Sequence, residues 1–508
     1  MIKRVLISVF DKKDIEKLCQ ALMEKGVEIW ASGGTAAFLK NNGIRVRELE
    51  EITGFSNMLQ GRVKTLHPMV FAGILADSNK EQHQKDIEQY KIPKFDMVVV
   101  NLYPFEEKVI KGDLPIEEAV EWIDIGGSAL IRASAKNYNN ITILIQPEDY
   151  PAIIDFIKEG KEIPLGYKQN LAGKAFQFSS YYDALISNYF LQESEQMPLY
   201  LTLPLKKEAE LRYGENPHQR ACAYKDISLW EKGILSAEQL HGKEMSFNNY
   251  IDVQAAFDIV GDLTGHACAI IKHTNPCGAA WSDNALTSFK IARETDPEAA
   301  FGSIVAFNCE VDEATAQEVS CLFVECLIAP SYSEEALTLL KSKKNLRILL
   351  LDSEKLPARE WDLRRIKGGI LLQDYDNLLS KEWNIVTKRQ PNDYERKALT
   401  FAWTVVKHVK SNAIVFTTDH NTIGIGAGQM SRVDSVRLAK SKARSSLKDS
   451  VIASDAFFPF KDNVEEIAKA GATAIIQPGG SIRDQEVIEE ADRQNIAMVF
   501  TGVRHFKH

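Results

Sequence analysis

Short runs made mainly of apolar residues recur along this chain, and a polar or glycine-rich turn follows each of them. Residues 5–9, 95–100 and 267–271 are three such runs, each with the length and β-branched content of a buried strand. Between the first run and the next one at 27–30, residues 14–24 show helical spacing of their apolar side chains. A strand, a helix and a strand in this order predict a parallel sheet with crossover helices, and hence an α/β fold.

Length and composition limit the class of protein. A chain of 508 residues is too long for one hydrophobic core, so we expect at least two domains. The net charge of −9 argues against a nucleic-acid-binding surface, and no apolar run reaches membrane-spanning length. Seven cysteines are scattered without a C-x-x-C pair, which supports neither a disulfide framework nor a zinc site and fits a reducing cytoplasm.

The run at 267–271 ends in two ionisable residues, Lys272 and His273, and the Asn-Pro-Cys-Gly sequence at 275–278 predicts a turn directly afterwards. Both side chains therefore stand where a buried strand leaves the core, which is the ligand-binding edge of open α/β sheets. A neighbouring ammonium favours a neutral imidazole that can accept a proton, and Lys272 can stabilise developing negative charge. The same pattern also fits a polar turn with Lys272 in solvent and His273 bonded to a carbonyl group.

A glycine turn at 32–35, Ser-Gly-Gly-Thr, follows the strand at 27–30 and precedes a helix predicted to begin near Ala36. Glycine permits close approach of the backbone, and the free N–H groups of a helix N-terminus suit a phosphate. Arg62 and Lys64 are predicted to share one face of an extended segment and could neutralise that phosphate. A tight turn capped by a threonine, with solvated cations nearby, fits this stretch equally well.

Further polar residues follow the apolar run at 95–100, where Asn101 and Tyr103 stand at the predicted binding edge. The Asp-Ile-Gly-Gly-Ser sequence at 124–128 then precedes a helix. Pro198 and Pro204 interrupt the helical pattern after residue 191, so we place a linker at 193–205. A G-x-G-x-G stretch at 423–428 does not fit the G-x-G-x-x-G spacing of dinucleotide-binding turns, and we reject that interpretation.

Several sequence blocks, in order along the chain, closely resemble those of one family: S-G-G-T, G-R-V-K-T-L-H-P, N-L-Y-P-F, I-D-I-G-G, L-R-Y-G-E-N-P-H-Q, K-H-T-N-P-C-G, S-D-A-F-F-P-F-K-D-N and R-H-F-K-H. This is the bifunctional purine-biosynthesis family that joins an aminoimidazole carboxamide ribonucleotide (AICAR) formyltransferase to an inosine monophosphate (IMP) cyclohydrolase. The resemblance implies a Rossmann-like, methylglyoxal-synthase-like parallel-sheet domain at 1–199 that closes the ring. It also implies a formyltransferase domain of two deaminase-like α/β subdomains at 200–508, without the catalytic zinc.

The resemblance also implies roles for individual residues. His273 matches the proton acceptor of formyl transfer and Lys272 its transition-state stabiliser. The catalytic set of ring closure matches Lys64, Tyr103, Asp124 and Lys136, with Lys136 as the proton carrier. Substrate-binding positions match Asp11, Lys12, Ser32, Gly33, Gly34, Thr35, Arg62, Thr65, Asn101, Gly126 and Gly127 in the first domain, and Arg212, Tyr213, Gly302, Glu325, Asn412, Arg432, Phe457, Asp462, Ser481 and Arg504 in the second.

On this resemblance, we expect 10-formyltetrahydrofolate as co-substrate, AICAR, its formylated product (FAICAR) and IMP as ligands, no required metal, and a cytoplasmic homodimer that binds neither nucleic acid nor membrane. Two positions depart from the family pattern. Phe10 stands where members usually have a small hydroxyl residue, and Glu325 stands where some have aspartate. Two alternatives stay open: a non-catalytic sensor of purine nucleotides, and a formyltransferase whose cyclohydrolase site has decayed.

Overall fold

The computed structural model describes residues 2–55, 59, 62–192, 196–229, 233–352, 361–379 and 382–508. The chain divides into two compact units, which we call the first and the second unit. The first comprises Met1–Lys206 and Lys225–Trp230, and the second comprises Lys207–Tyr224 and Glu231–His508. No helix in the described part of the chain is both long and apolar enough to cross a membrane.

The first unit is built around a five-stranded sheet with the order β3-β2-β1-β4-β5, in which every pairing is parallel. Its strands are β1 Arg4–Ser8, β2 Glu28–Ala31, β3 Arg47–Glu48, β4 Met97–Val100 and β5 Thr142–Leu144. Its helices are α1 Ile15–Glu24, α2 Gly33–Asn41, α3 Glu50–Thr53, α4 Pro68–Leu75, α5 Glu81–Gln89, α6 Ile116–Ala119, α7 Ile125–Lys136, α8 Tyr150–Glu159 and α9 Leu165–Leu191. The predicted parallel α/β domain is confirmed.

Strand register decides which residues of the first unit meet. Ile7 of β1 pairs with Ala31 of β2 and with Val99 of β4, so the loops after these three strands leave the sheet at one edge. The strands are apolar because helices cover both faces of a parallel sheet, and Ile7 and Val99 are fully buried. Two local predictions were wrong: α2 begins at Gly33 rather than near Ala36, and residues 62–65 form a turn rather than an extended segment.

The strands β6 Leu205–Leu211 and β7 Ala221–Asp226 form a two-stranded sheet, and the division between the units crosses both strands. The remaining strands of the second unit are β8 Glu238–His241, β9 His266–Lys272, β10 Asn275–Ser282, β11 Ser303–Phe307, β12 Val324–Ala329, β13 Arg347–Leu350, β14 Trp361–Ile366, β15 Gly369–Asp374, β16 Asn384–Ile385, β17 Ile414–Thr417, β18 Thr422–Gly426, β19 Val451–Ser454, β20 Ala474–Gln477 and β21 Ala497–Phe500. Its helices are α10 Phe247–Asp262, α11 Ala285–Thr295, α12 Glu313–Ser320, α13 Glu334–Lys341, α14 Asp393–Val406, α15 Arg432–Lys442, α16 Asp462–Ala470 and α17 Asp484–Arg493.

The second unit contains one arrangement twice. Its six-stranded sheets have the orders β10-β9-β11-β12-β13-β8 and β18-β17-β19-β20-β21-β16. In each, an edge strand and a helix precede an antiparallel hairpin, and helices then connect three parallel strands. We call the part from β8 to β13 the first subdomain and the part from β16 to β21 the second subdomain. The expectation of two α/β subdomains with the same architecture is confirmed.

The prediction of a turn over residues 275–278 was wrong. Asn275–Ser282 is strand β10, antiparallel to β9, and only His273 and Thr274 separate the two strands. Pro276 is tolerated because β10 is an edge strand, and Gly278 is required because a β-carbon there would lie 1.9 Å from the Ala292 carbonyl oxygen. Since β9 is also antiparallel to β11, Lys272 lies at the edge where the parallel strands begin, not at their carboxyl ends.

Candidate active sites

The loop after β1 forms one wall of a polar site in the first unit. The Asn101 side-chain oxygen accepts the N–H groups of Phe10 at 2.5 Å and Asp11 at 3.1 Å, and its amide donates to the Asp11 carbonyl oxygen at 2.9 Å. Lys12 donates to the Phe10 carbonyl oxygen at 2.9 Å, and burial lowers the pKa of its ammonium. Asn101 therefore holds the Phe10–Asp11 backbone, so this loop keeps its shape without the hydroxyl side chain usual at position 10.

The glycine turn brings the N-terminus of α2 against Lys64. Ser32 is the extended residue before α2, and Gly33 has a φ of 50°, where glycine is favoured. A β-carbon on Gly33 would lie 2.7 Å from the Lys64 Nζ atom, so the ammonium rests against the turn. The Thr35 hydroxyl donates to the Val9 carbonyl oxygen at 3.0 Å and is thereby committed to the backbone. An ammonium beside the positive end of a helix is unfavourable unless an anion shares the space, which suits a phosphate group.

Asp124 lies at the start of α7, and Tyr103 lies in the loop after β4. Asp124 caps the helix by accepting the Gly127 N–H at 2.6 Å, and burial raises the pKa of the Asp124 carboxyl. Burial, together with the charge of Asp124, raises the pKa of the Tyr103 hydroxyl. The Tyr103 ring packs against Phe10 with a centroid distance of 5.6 Å. A half-buried carboxyl and a phenol thus face the same space as the loop after β1.

Glycines permit this close packing around α7. A β-carbon on Gly126 would lie 2.6 Å from the Thr65 hydroxyl, and one on Gly127 would lie 2.6 Å from both the Asp124 carboxylate and the Leu102 side chain. Thr65 is buried and follows Lys64 directly. The turn at 62–65 and the N-terminus of α7 are therefore in contact.

Two of the predicted residues lie apart from this cluster. Lys136 is the last residue of α7, about 18 Å along the helix from Asp124 at a rise of about 1.5 Å per residue. The next residue, Asn137, donates to the carbonyl oxygens of Ile74 at 2.7 Å and Ala76 at 3.0 Å, at the far end of α4. Arg62 is exposed and forms an ion pair with Glu121.

Sequence reasoning missed Tyr182, which positions the Asp124 loop. Its hydroxyl donates to the Trp122 carbonyl oxygen at 3.0 Å and accepts the Asp124 N–H at 3.0 Å. Tyr182 lies on α9, some sixty residues away in sequence, among several other aromatic residues of that helix. Helical spacing marks it as a packing residue, and only the fold shows which loop its hydroxyl reaches.

In the second unit, the start of β11 and the hairpin of β9 form a second polar site. The Lys272 ammonium donates to the Phe301 carbonyl oxygen at 2.8 Å. Gly302 follows with a φ of 72°, and its N–H donates to the Phe323 carbonyl oxygen at 2.7 Å. Glu325 lies two residues further on, in β12. The edge where β9 ends and β11 and β12 begin thus collects Lys272, His273, Gly302 and Glu325.

Another group of the predicted residues is in contact around Asn412, in the segment just before β17. Arg432, the first residue of α15, donates to the Asn412 side-chain oxygen at 2.6 Å and to the Ser454 hydroxyl at 2.9 Å. It also forms an ion pair with Asp455, and both charged groups are buried. Asn412 lines a cavity of about 370 Å³ together with Ser411, residues 428–430, Phe506 and His508. The Arg504 guanidinium stacks over the Phe506 ring at 4.2 Å, which brings Arg504 to the same cavity.

The other predicted residues of the second unit are placed individually. Phe457 is 37% exposed. Asp462 begins α16 and accepts the Asn463 side chain at 2.8 Å, and the Ser481 hydroxyl accepts the Arg483 N–H at 3.1 Å. Arg212 and Tyr213 lie in the Lys207–Tyr224 segment, with the guanidinium 5.4 Å from the ring centroid. Within the described residues, no three His, Cys, Asp or Glu side chains are grouped to hold a metal ion.

Comparison with known proteins identifies the family. A model described as AICARFT/IMPCHase bienzyme matches residues 134–442, and one described as MGS-like domain matches residues 14–129. The bifunctional purine biosynthesis protein PurH of Aquifex aeolicus is 49% identical over 511 residues, which cover 99% of this chain and 100% of that protein. The proteins of the same name from Bacillus cereus and Bacillus subtilis are 47% and 48% identical, each over 100% of both chains. The chain belongs to the AICARFT/IMPCHase bienzyme family.

As a member of the bienzyme family, this chain is a bifunctional AICAR formyltransferase and IMP cyclohydrolase, which catalyses the last two steps of IMP biosynthesis. The resemblance stated from sequence blocks is confirmed over the full length of the chain. The MGS-like match begins just before α1 and ends within α7, so it covers strands β2, β3 and β4 of the first unit. The bienzyme assignment is favoured over a non-catalytic sensor and over a single-activity formyltransferase.

Proposed function

We propose that residues 1–199 close the purine ring and that residues 200–508 transfer the formyl group from 10-formyltetrahydrofolate to AICAR. This division is supported mainly by the position of the adjacent residues Lys272 and His273 at the β9 hairpin, inside the second unit. A different polar cluster, around Lys64, Tyr103 and Asp124, stands in the first unit. Each unit therefore contains the acid–base groups that one of the two reactions needs.

For formyl transfer, the aromatic amine of AICAR attacks the formyl carbon and must lose a proton, because this amine is a weak nucleophile. His273 accepts that proton. The Lys272 ammonium gives one hydrogen bond to Phe301 and points its remaining N–H groups to the formyl oxygen as it becomes negative. The C–N bond to the folate then breaks, and the departing nitrogen takes up a proton to leave tetrahydrofolate and FAICAR.

Binding of AICAR and the folate falls to the other residues of the second unit. The buried Asp455 fixes the Arg432 guanidinium, which in turn fixes the Asn412 amide beside the cavity. Cations and stacked rings suit a phosphate and planar heterocycles. We assign substrate or folate binding to Arg212, Tyr213, Gly302, Glu325, Asn412, Arg432, Phe457, Asp462, Ser481 and Arg504.

For ring closure, the amide nitrogen of FAICAR attacks the formyl carbon, and the former formyl oxygen leaves as water. The N-terminus of α2 and Lys64 hold the phosphate, with Asp11, Lys12, residues 32–35, Arg62, Thr65, Asn101, Gly126 and Gly127 around the nucleotide. We assign the proton transfers of ring closure to Asp124, whose carboxyl has a pKa raised by burial, and to Tyr103 beside it.

Lys136 joins this set on the family resemblance, although it ends α7 about 18 Å from Asp124. The variant Lys136→Ala tests it. If FAICAR accumulates while formyl transfer persists, Lys136 stays in the catalytic set. If ring closure proceeds at the normal rate, the set is limited to Lys64, Tyr103 and Asp124.

We further propose a cytoplasmic homodimer that needs no metal for either reaction. The scattered cysteines support a reducing compartment and offer no C-x-x-C ligand pair. The dimer follows from the family resemblance, with a formyltransferase site that draws on both chains. Sedimentation that shows a fully active monomer at assay concentration would contradict the dimer.

The assignment is tested by assaying the two half-reactions separately. Lys272→Ala and His273→Ala should each lower formyl transfer about 10²- to 10⁴-fold, the usual contribution of a general acid or base, and leave conversion of FAICAR to IMP nearly intact. Normal formyl transfer by His273→Ala would refute the assignment.

A further inference from the structure

The two residues of the β9–β10 turn have an unusual backbone conformation. His273 has a φ of 53° and Thr274 a φ of 63°, so both are left-handed, although neither is glycine. A two-residue hairpin turn of this type requires positive φ at both positions and normally contains asparagine, aspartate or glycine. Side chains with a β-carbon are strained there, and such strain persists only where the surroundings hold it. Other groups must therefore hold this turn.

The Asn275 side chain donates to the His273 carbonyl oxygen at 3.4 Å, and the Asp252 carboxylate on α10 contacts the N–H side of the turn. The Asp252 Oδ1 atom accepts the Thr274 N–H at 2.7 Å. Burial raises the pKa of the Asp252 carboxyl, and hydrogen bonds from the N–H groups of Thr274 and His273 act in the opposite direction. A carboxylate that accepts the free N–H groups of a strained turn stabilises its backbone conformation.

The first turn of α10 is held rigidly, and this fixes the position of Asp252. Ser246 and Asn249 form a reciprocal capping box, and Asn249 is buried. The Asn249 amide also donates to the Glu325 Oε2 atom at 3.1 Å. Asp252 lies one helical turn after Asn249. One capped helix therefore positions both the His273 turn and the Glu325 carboxylate.

We propose that Asp252 is the positioning residue of the formyl-transfer base: its carboxylate fixes the His273–Thr274 turn, and its negative charge stabilises the imidazolium that forms when His273 takes the proton of the AICAR amine. The inference rests on the proposed role of His273. The other charged groups around the turn are Lys272, which precedes it, and Glu325 from β12. Neither is changed in the experiment below.

Three variants of the full-length chain test the proposal. In Asp252→Asn the side-chain oxygen can still accept the Thr274 N–H, but the charge is lost. Asp252→Glu keeps the charge. Asp258→Asn is the matched control, because Asp258 lies on the same helix and bonds the Tyr375 hydroxyl instead, at 2.6 Å. For each variant, kcat and KM for AICAR are measured across pH, and FAICAR cyclisation is measured on the same preparation as a control for folding.

For Asp252→Asn, we expect a kcat about 10- to 100-fold lower with little change in KM. The acidic limb of the pH profile should move to lower pH, because removing an anion beside an imidazole disfavours the protonated form of the ring. Asp252→Glu should keep the acidic limb at its wild-type pH even if kcat falls. Asp258→Asn should match the wild type in kcat and in the position of the acidic limb.

Two results would overturn the proposal. One is an unchanged kcat in Asp252→Asn. The other is a loss of activity without movement of the acidic limb, since that pattern indicates a merely structural contact. His273→Ala separates this failure from failure of the proposed function: an active His273→Ala enzyme refutes the base itself, whereas an inactive one beside a normal Asp252→Asn enzyme refutes only the positioning role.

Discussion

Asn308 and Asp455 occupy the same position in the two subdomains of the second unit. The Ala267 N–H donates to the Asn308 Oδ1 atom at 2.7 Å, and the Ala413 N–H donates to the Asp455 Oδ1 atom at 3.0 Å. In both cases the residue's own N–H returns a bond of 3.4 Å to the carbonyl oxygen of the paired alanine. The matching bonds extend the similarity of the two subdomains from strand order to single atoms.

The two side chains nevertheless serve different purposes. The Asn308 amide donates to the carbonyl oxygens of Val260 and Leu263 at 3.2 Å, and so ties the end of α10 to the sheet. Asp455 instead forms a buried ion pair with Arg432 beside the candidate substrate cavity. The same position thus ties a helix to the sheet in one subdomain and holds an arginine beside the candidate cavity in the other.

Asp455→Asn gives this position the same side chain as its counterpart Asn308. Asparagine can still accept the Ala413 N–H, but Arg432 loses its anion. Breaking a buried pair costs about 3–5 kcal/mol, so the second unit should unfold at lower urea concentration, and KM for AICAR should rise. Urea unfolding and formyl-transfer kinetics measure both effects. Asp434→Asn, which removes an exposed partner of Arg437 on the same helix, should change neither.

Gly33→Ala should impair ring closure selectively. The new β-carbon would lie 2.7 Å from the Lys64 Nζ atom, and alanine at a φ of 50° costs about 1–2 kcal/mol. Lys64 must then move away from the proposed phosphate site, so KM for FAICAR should rise while formyl transfer stays normal. Gly166→Ala on α9, where the space is open, is the control. Equal cyclisation kinetics in the two variants would show that the glycine turn is not part of the cyclohydrolase site.

A fragment that ends at Lys206 should fold and cyclise FAICAR, and it should transfer no formyl group. It should also be more stable than one that ends at Met197, by more than about 1 kcal/mol. The reason is Glu106, which is buried and accepts the Lys206 ammonium at 3.0 Å and the Tyr181 hydroxyl at 2.8 Å. Although burial acts to raise it, these partners hold the pKa of Glu106 below its usual value. Urea unfolding compares the two fragments, and a folded but inactive longer fragment would contradict the placement of the cyclohydrolase.

The stability of the second unit should fall as the solution becomes acidic. His408 is buried and lies 2.7 Å from the Asp262 carboxylate, which Lys407 also contacts at 2.7 Å. Burial lowers the pKa of His408, so below about pH 6.5 the unfolded chain binds the proton more readily than the folded chain. The His408 contribution is therefore complete above about pH 6.5 and is lost as the pH falls towards the folded-state value.

Asp262 contributes to the pH dependence of stability at lower pH than His408 does. Although burial opposes it, hydrogen bonds from His408 and Lys407 lower the pKa of Asp262 to about 2, so its contribution is present above about pH 4 and is lost towards pH 2. The urea midpoint should be higher at pH 7.5 than at pH 5.5. His408→Gln should reduce that difference, whereas His420→Gln, at a half-exposed histidine, should leave it unchanged. An identical pH dependence in His408→Gln would contradict this role.

Treatment with a chelator should leave both half-reactions at their original rates, because the proposed steps use only imidazole, ammonium, carboxyl and phenol groups. The measurement is the rate of each half-reaction before and after dialysis against the chelator. Loss of either activity that zinc restores would show that a metal takes part.

The sequence by itself determined the parallel sheet of the first unit and the residues that follow its strands at one edge. Apolar runs mark where each strand ends, and in a parallel sheet all such ends meet at one edge, so Asn101 and the turn at 32–35 could be predicted to face one another. The family blocks likewise marked Lys272 and His273.

Only the tertiary structure decided how the second unit uses its residues. The antiparallel pairing of β9 with β10 and β11 places Lys272 at the edge where the parallel strands begin. Asp252, Tyr182 and Asp455 each act on residues far away in sequence, through single hydrogen bonds or ion pairs. Helical and strand periodicity report which face of an element is apolar, but a partner across the fold leaves no local pattern, because it is selected by the packing of whole elements.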